Sequence, residues 1–201
     1  IQWAHTIVAG PGIGTGKASQ MILNTVLSES SVPVIMDADA LNILAAAFKA
    51  KEGVDGLIAF LGRQCPVIVT PHLGEMARLT GRDIAGISRN LFETCRKFAK
   101  RYQVICVLKD ARTVISDSMG TDYVNLSGNN GMATGGSGDV LSGMIGGLVC
   151  QHKDKGQENL KRMAALGVYI HGLSGDEAKK RKGVYGLLAS DIIKYIAYVI
   201  Q

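Results

Sequence analysis

Aromatic residues make up only 5% of this 201-residue chain, and proline occurs four times. The core must therefore be built from Val, Ile, Leu, Ala and Met, and the low proline content argues against a disordered, low-complexity chain. No apolar run reaches the length of a membrane span, and no secretory leader is expected. The chain starts at Ile1 without a methionine, so a clipped or processed start is expected. The four cysteines (Cys65, Cys95, Cys106, Cys150) form no CxxC and do not pair with the four histidines at metal-ligand spacing. Three of them lie in or beside apolar runs, where reduced, buried thiols are the expectation, and this points to a reducing cytoplasm. Aromatic residues interleaved with basic ones are also missing, so the net charge of +5 does not mark a nucleic-acid surface. Its main clusters, Arg96 to Arg101 and Lys179 to Lys182, fall near predicted helix C-termini, where cations complement the dipole. A mild positive field still attracts phosphorylated small molecules.

What the chain has in quantity is aliphatic residues and glycine: 47% hydrophobic content and 25 glycines. That is enough for one sizeable core with many tight turns. Strand-like and helix-like segments alternate, which predicts a central, mostly parallel sheet between helices. Predicted strands are His5–Ala9, Pro33–Met36, Pro66–Val69 and Val104–Leu108, followed by a hairpin of Thr113–Ser116 and Asp122–Asn125. Predicted helices cover Lys17–Ser28, Ala40–Lys51, Gly74–Thr80, Ile84–Arg101, Val140–Gln151, Gln157–Lys180 and Ala189–Ile200. No internal repeat, linker or second domain is visible, so residues 1–201 are read as one domain.

Ligands in such folds lie outside the C-terminal ends of the strands, and the glycine- and aspartate-bearing loops all fall there. The most informative segment is Asn129 to Gly143, NNGMATGGSGDVLSG. A glycine-rich turn feeding a helix collects unobstructed backbone N–H groups and suits an anion such as phosphate. A carboxylate in that turn, Asp139, would repel the anion unless it acts on a hydroxyl beside it. The alternative is that Asp139 merely favours the helix N-terminus. Gly10 to Gly16 (GPGIGTG) is a poor dinucleotide fingerprint and reads as either a ligand approach or a structural turn. Asp37 can face a ligand or tie down its turn, and Asp39 is better read as a helix cap. His72 and Glu75, in TPHLGE, can contact a ligand and orient a metal-bound water, or can cap a helix. Lys109 to Thr113 (KDART) can hold phosphates or be an ordinary charged turn.

Together, VAGPGIGTG, DADALNIL, TPHLGEMARLTG, LKDARTVI, GNNGMATGGSGDVLSGMIGGL, YIHGLSGDEA and GLLASDII resemble the ADP/ATP-dependent NAD(P)H-hydrate dehydratases of the ribokinase-like superfamily. The wording of the glycine loop is more similar to the bacterial, ADP-using branch. The resemblance implies a three-layer α/β/α sandwich and a cytoplasmic repair enzyme that self-associates. Its substrates are implied to be the hydrate of NADH or NADPH and ADP or ATP, with Mg²⁺, and neither nucleic acid nor membrane is a partner. It implies phosphorylation of the ring hydroxyl followed by loss of phosphate. Asp139 would take the hydroxyl proton, and the N–H groups of Gly136, Ser137 and Gly138 would form the anion hole. Lys109, Asp110, Ala111, Arg112 and Thr113 would line the nucleotide site. Asn129, Asn130, Gly131, Met132, Ala133, Thr134, Gly135 and Gly138 would join them. Gly12, Gly14, His72 and Asp139 would contact the hydrate, and Glu75 would position Mg²⁺ through water. Asp110 stands where the family usually has glycine, and Leu73 and Asn130 stand where it commonly has proline. The family also carries residues before the GPGxG strand, so the chain is expected to lack the N-terminal part of the domain. A small-molecule kinase of the same superfamily, such as a hydroxymethylpyrimidine or hydroxyethylthiazole kinase, and a nucleotide-binding regulatory protein are the competing readings.

Overall fold

The structure is a computed structural model that describes residues 3–50, 60–120 and 122–200. Six strands form one sheet: β1 (Ile7–Ala9), β2 (Val34–Met36), β3 (Val67–Val69), β4 (Ile105–Leu108), β5 (Val114–Ser116) and β6 (Asp122–Val124). They lie side by side in chain order. β1 to β4 pair in parallel, and β5 and β6 close the far edge as an antiparallel hairpin. The register is continuous, with Ala9, Met36, Val69 and Cys106 in one row.

Period-two alternation divides these strands between two cores. Val34, Met36, Val67, Val69, Cys106, Leu108 and Val114 face one layer of helices. That layer comprises α1 (Lys17–Glu29), α2 (Ala38–Lys49), α3 (Leu73–Thr80), α4 (Ile84–Arg89) and α5 (Leu91–Tyr102). Ile35, Ile68, Ile105, Val107 and Ile115 face the other, against α6 (Ser137–Gln151) and α7 (Gln157–Lys182). Burying each such aliphatic side chain contributes about 1.5–3 kcal/mol before entropy is counted. α8 (Ala189–Val199) packs outside α7 through Ala178, Leu187 and Ile192. The result is the expected three-layer sandwich.

Several expectations change in detail, among them the cap of the second predicted helix, which is Asp37 and not Asp39. The helix read as Ile84–Arg101 is two helices, because Asn90 leaves helical geometry (φ −134°, ψ 46°) and its side chain donates to the Gly86 carbonyl. Asparagine often offers the backbone such a local partner and so interrupts a helix. The second predicted helix begins earlier, at Ala38, and its predicted last residue, Lys51, lies outside the described residues. The cysteine expectation agrees with the structure: Cys65, Cys95 and Cys106 are buried free thiols, and Cys150 is free and exposed.

The parallel register brings the C-terminal ends of β1, β2, β3 and β4 to one edge of the sheet. There the chain turns into α2, α3 and the hairpin, and the start of α6 arrives from the opposite layer. At Gly10 (φ +130°) a Cβ would collide with the Asp37 carbonyl, so only glycine lets β1 exit this close to β2. Ala38 follows Asp37 with φ +46°, a conformation that non-glycine residues rarely adopt. The Asp37 carboxylate steadies it by accepting from its N–H at 2.9 Å.

Candidate functional site

Lys109, at the end of β4, is the hub of this edge. Its N–H donates to the Pro71 carbonyl at 2.7 Å, and Lys109 forms a parallel bridge with His72, extending the pairing one residue past β4. Its Nζ donates to Asp37 Oδ1 at 2.8 Å, with side-chain exposures of 18% and 2%. A nearly buried carboxylate needs such a partner. Lys109 is thus a cation tethered to Asp37, where the sequence left phosphate holding and an ordinary charged turn both open. Gly138 packs on this pair: a Cβ there would lie 3.2 Å from Lys109 Nζ and 3.8 Å from Asp37 Oδ2.

The glycine turn enters α6 through Gly136 (φ +84°), whose missing side chain makes room beside Ala189. No side chain caps this helix. The Ser137 N–H donates to the Thr134 carbonyl at 3.2 Å. Among the described residues the N–H groups of Gly136, Gly138 and Asp139 have no partner, so these three, rather than Gly136 to Gly138, are available to an anion. Asp139 sits in the first turn of α6, exposed, and its carboxylate makes no hydrogen bond among the described residues. It makes no capping hydrogen bond, although its charge lies in the first turn where it complements the helix dipole.

His72 and Glu75 are more constrained. His72 Nδ1 accepts from the N–H groups of Gly74 (2.9 Å) and Glu75 (3.3 Å), while Glu75 Oε2 accepts from His72 N–H at 2.8 Å. This capping box closes the N-terminus of α3. Burial, then the charges of Lys109 and Arg78, hold His72 below the usual imidazole range, so it is neutral at pH 7. Burial pushes the Glu75 carboxyl up, against the pull of Lys109. The His72 ring still leaves its side chain 52% exposed at the mouth of the site. Glu75 Oε1 keeps only a 3.4 Å contact with His72 Nε2. The Gly12–Gly14 turn is tied to α2 by the Gly14 N–H, which donates to Asp39 Oδ2 at 2.9 Å.

The nucleotide-side loops divide by role. Asp110, Ala111 and Arg112 are exposed and Thr113 is half-buried. Asn129 is structural at both ends: Oδ1 accepts from Gly131 N–H (3.0 Å) and Nδ2 donates to Asp176 Oδ1 (2.9 Å). Asp176 also accepts from Gly128 N–H at 2.8 Å. The Met132 side chain turns into the α7–α8 cluster against Gly175. Asn130, Ala133 and Gly135 are exposed, and Gly131 is buried beneath the Val184 carbonyl. Among the described residues no three His, Cys, Asp or Glu side chains converge as a metal site. A groove of about 510 Å³ between α2, α3 and α5, lined by Phe48, Arg82, Phe98 and Tyr102, lies away from this edge.

Three participants escaped the sequence reading: the Asp37–Lys109 pair, Asp176 and His171. The last is a buried histidine on α7 whose Nε2 lies 3.0 Å from the Ser137 carbonyl. A signal for the α7 pair was present, since a histidine and an aspartate interrupt a small, apolar helix face whose Gly172 packs on Ser127 and Gly175 on Met132.

The sequence pattern of the NAD(P)H-hydrate dehydratase family matches residues 1–198. The chain is 40% identical over 97% of its length to a bifunctional NAD(P)H-hydrate repair enzyme of Moorella thermoacetica, of which it covers 34%. It is 38% identical over 92% of its length to an ADP-dependent (S)-NAD(P)H-hydrate dehydratase of Neisseria meningitidis, covering 59%. Its fold matches the Bacillus subtilis ADP/ATP-dependent NAD(P)H-hydrate dehydratase co-crystallised with ATP/Mg²⁺. That match has a TM-score of 0.80 and 33% identity, over 97% of this chain and 63% of that one. The chain thus spans about a third of the bifunctional relatives and under two thirds of the single-function ones. With this loop wording, this sheet and these matches together, the chain belongs to the NAD(P)H-hydrate dehydratase family, on a ribokinase-like fold.

Proposed function

We propose that the chain carries out nucleotide-driven dehydration of hydrated NADH or NADPH, with ADP or ATP as phosphoryl donor. The observation that carries this reading is the free, exposed Asp139 carboxylate beside uncapped N–H groups, on a turn seated over the Asp37–Lys109 pair. In the first step the ring hydroxyl oxygen attacks the terminal phosphorus, its proton passes to Asp139, and the bond to the rest of the nucleotide breaks. Charge spreading onto the transferred phosphoryl is met by the N–H groups of Gly136, Gly138 and Asp139. Phosphate then leaves with the carbon–oxygen bonding pair while the neighbouring ring carbon gives up a proton to solvent, and the double bond of the reduced nicotinamide is restored. Lys109 to Thr113 and Asn129 to Gly138 flank the nucleotide, while Gly12, Gly14 and the exposed face of His72 flank the hydrate.

Among the described residues no cluster of carboxylates could cage an ion, so Mg²⁺ would be carried mainly by the phosphates. Glu75 Oε1, engaged only by a 3.4 Å contact with His72 Nε2, would hold such an ion through water. The ion neutralises charge on the migrating phosphoryl when bound. Buried free thiols suit a reducing cytoplasm, and no described helix is long and apolar enough to cross a membrane. Exposed Ile193 and Tyr198 on α8 support self-association. We take residues 1–201 to form a single ribokinase-like domain.

The deciding assay incubates the intact protein with hydrated NADH and ADP or ATP. Recovery of the reduced-nicotinamide absorbance is expected. Nucleotide consumption without recovery would instead point to kinase chemistry, and binding without consumption to a regulatory role.

A further inference from the structure

The turn proposed to hold the phosphoryl group has an architectural weakness: α6 starts without a side-chain cap, so nothing on its solvent side fixes its first turn. Its support comes from behind. His171, 8% exposed in the middle of α7, places Nε2 at 3.0 Å from the Ser137 carbonyl and 3.4 Å from Ser137 Oγ. A carbonyl only accepts, so Nε2 carries the proton and donates. Burial, then the nearby Lys109 charge, hold the ring well down, at about 4, so the imidazole is neutral at physiological pH. Thirty-four residues separate the partners, and no other side-chain hydrogen bond among the described residues ties the first turn of α6 to the layer beneath it.

We propose that His171 is a positioning residue for the phosphoryl-transfer turn: by donating to the Ser137 carbonyl it aims the N–H groups of Gly138 and Asp139 at one point. This rests on the reading of that turn as the anion site. The donor must be neutral and on the far side of the helix start, and both conditions hold. A cation there would pull the carbonyl without needing geometry. A misaimed turn still accepts a ground-state phosphate but stabilises the transferring one less well, so the effect belongs in kcat more than in KM.

The test compares the intact wild type with His171→Leu, similar in bulk without a donor, and His171→Gln, whose Nε2 can reach the same carbonyl. The leucine variant is expected to lose up to about 10²-fold in kcat with nucleotide KM changed less than about 3-fold, as for a small misplacement of reacting groups. The glutamine variant recovers most of that loss. Amide resonances of Gly138 and Asp139 give a readout without turnover: adding ADP shifts them in wild type and glutamine variant, and the leucine variant shows a smaller shift. Equal kcat and equal amide shifts in all three proteins overturn the proposal. Equal losses in both variants, tracking a fall in melting temperature, also overturn it, by making His171 merely structural. An inactive wild type whose amides still respond, with the leucine variant blunted, sinks the proposed reaction and leaves the positioning role standing.

Discussion

Two helix starts meet at the same edge of this sheet, and they are finished in opposite ways. The N-terminus of α3 is closed by its own residues: His72 Nδ1 takes two of its N–H groups and Glu75 folds back on the His72 amide. The N-terminus of α6 begins at a left-handed glycine with no cap, leaving N–H groups open, with an unengaged carboxylate beside them. Both ends carry the same positive dipole. Only one is left unsatisfied, and an unsatisfied helix end beside a tethered lysine is where a phosphate gains most. The closed end instead presents a neutral, fixed imidazole, suited to recognising an uncharged ring.

The sharpest way to break this contrast is Asp139→Asn. We expect a fall in kcat of about 10²–10⁴-fold, the usual share of a general base, with nucleotide affinity by calorimetry almost unchanged. Lost binding would return Asp139 to a structural role. Next comes Lys109→Met, which strands the buried Asp37 carboxylate. Removing one partner of such a pair typically costs about 3–5 kcal/mol, read as a lower denaturation midpoint, and nucleotide affinity falls with it. If stability holds while affinity alone drops, Lys109 is a ligand arm and not a tethered hub.

The pH dependence sharpens the comparison from beneath α6. His171 is held at about 4 in the folded protein, against roughly 6.5 when unfolded. The unfolded chain therefore binds the extra proton first, and folded-state stability falls as pH drops through this window. The full effect is about 3 kcal/mol, measured by denaturant titration at pH 7 and pH 4, and His171→Gln should flatten it. The smallest effect belongs to the closed end. His72→Ala removes the cap of α3 at a cost of about 0.5–2 kcal/mol, raising KM for the hydrate while leaving nucleotide affinity intact. A gain in nucleotide binding would mean that this end, once opened, is also an anion site.

Local chemistry was legible in the sequence. Alternating apolar runs gave the strands, and GGSGD after a hairpin placed Asp139 at a helix start. The TPHLGE reading left cap and ligand both open; the cap is present, and the half-exposed ring keeps the second role available. What sequence alone hid acts across distance. Lys109 reads as a phosphate holder or an ordinary charged turn because its partner, Asp37, is 72 residues away and is brought in by the sheet register. The Ser137 amide was counted in the anion hole because its bond to Thr134 depends on how the turn coils. The break at Asn90 was masked because apolar residues on either side keep a helical spacing through it.

The span closed by Asp37 and Lys109 also bears on how the molecule comes into being. Contacts so far apart in the chain form slowly, since a long loop must close before anything is gained. During synthesis, β2 emerges long before α6, and the glycine turn has nothing to rest on until the parallel strands have joined. The proposed anion site is thus among the last features a newly made chain completes.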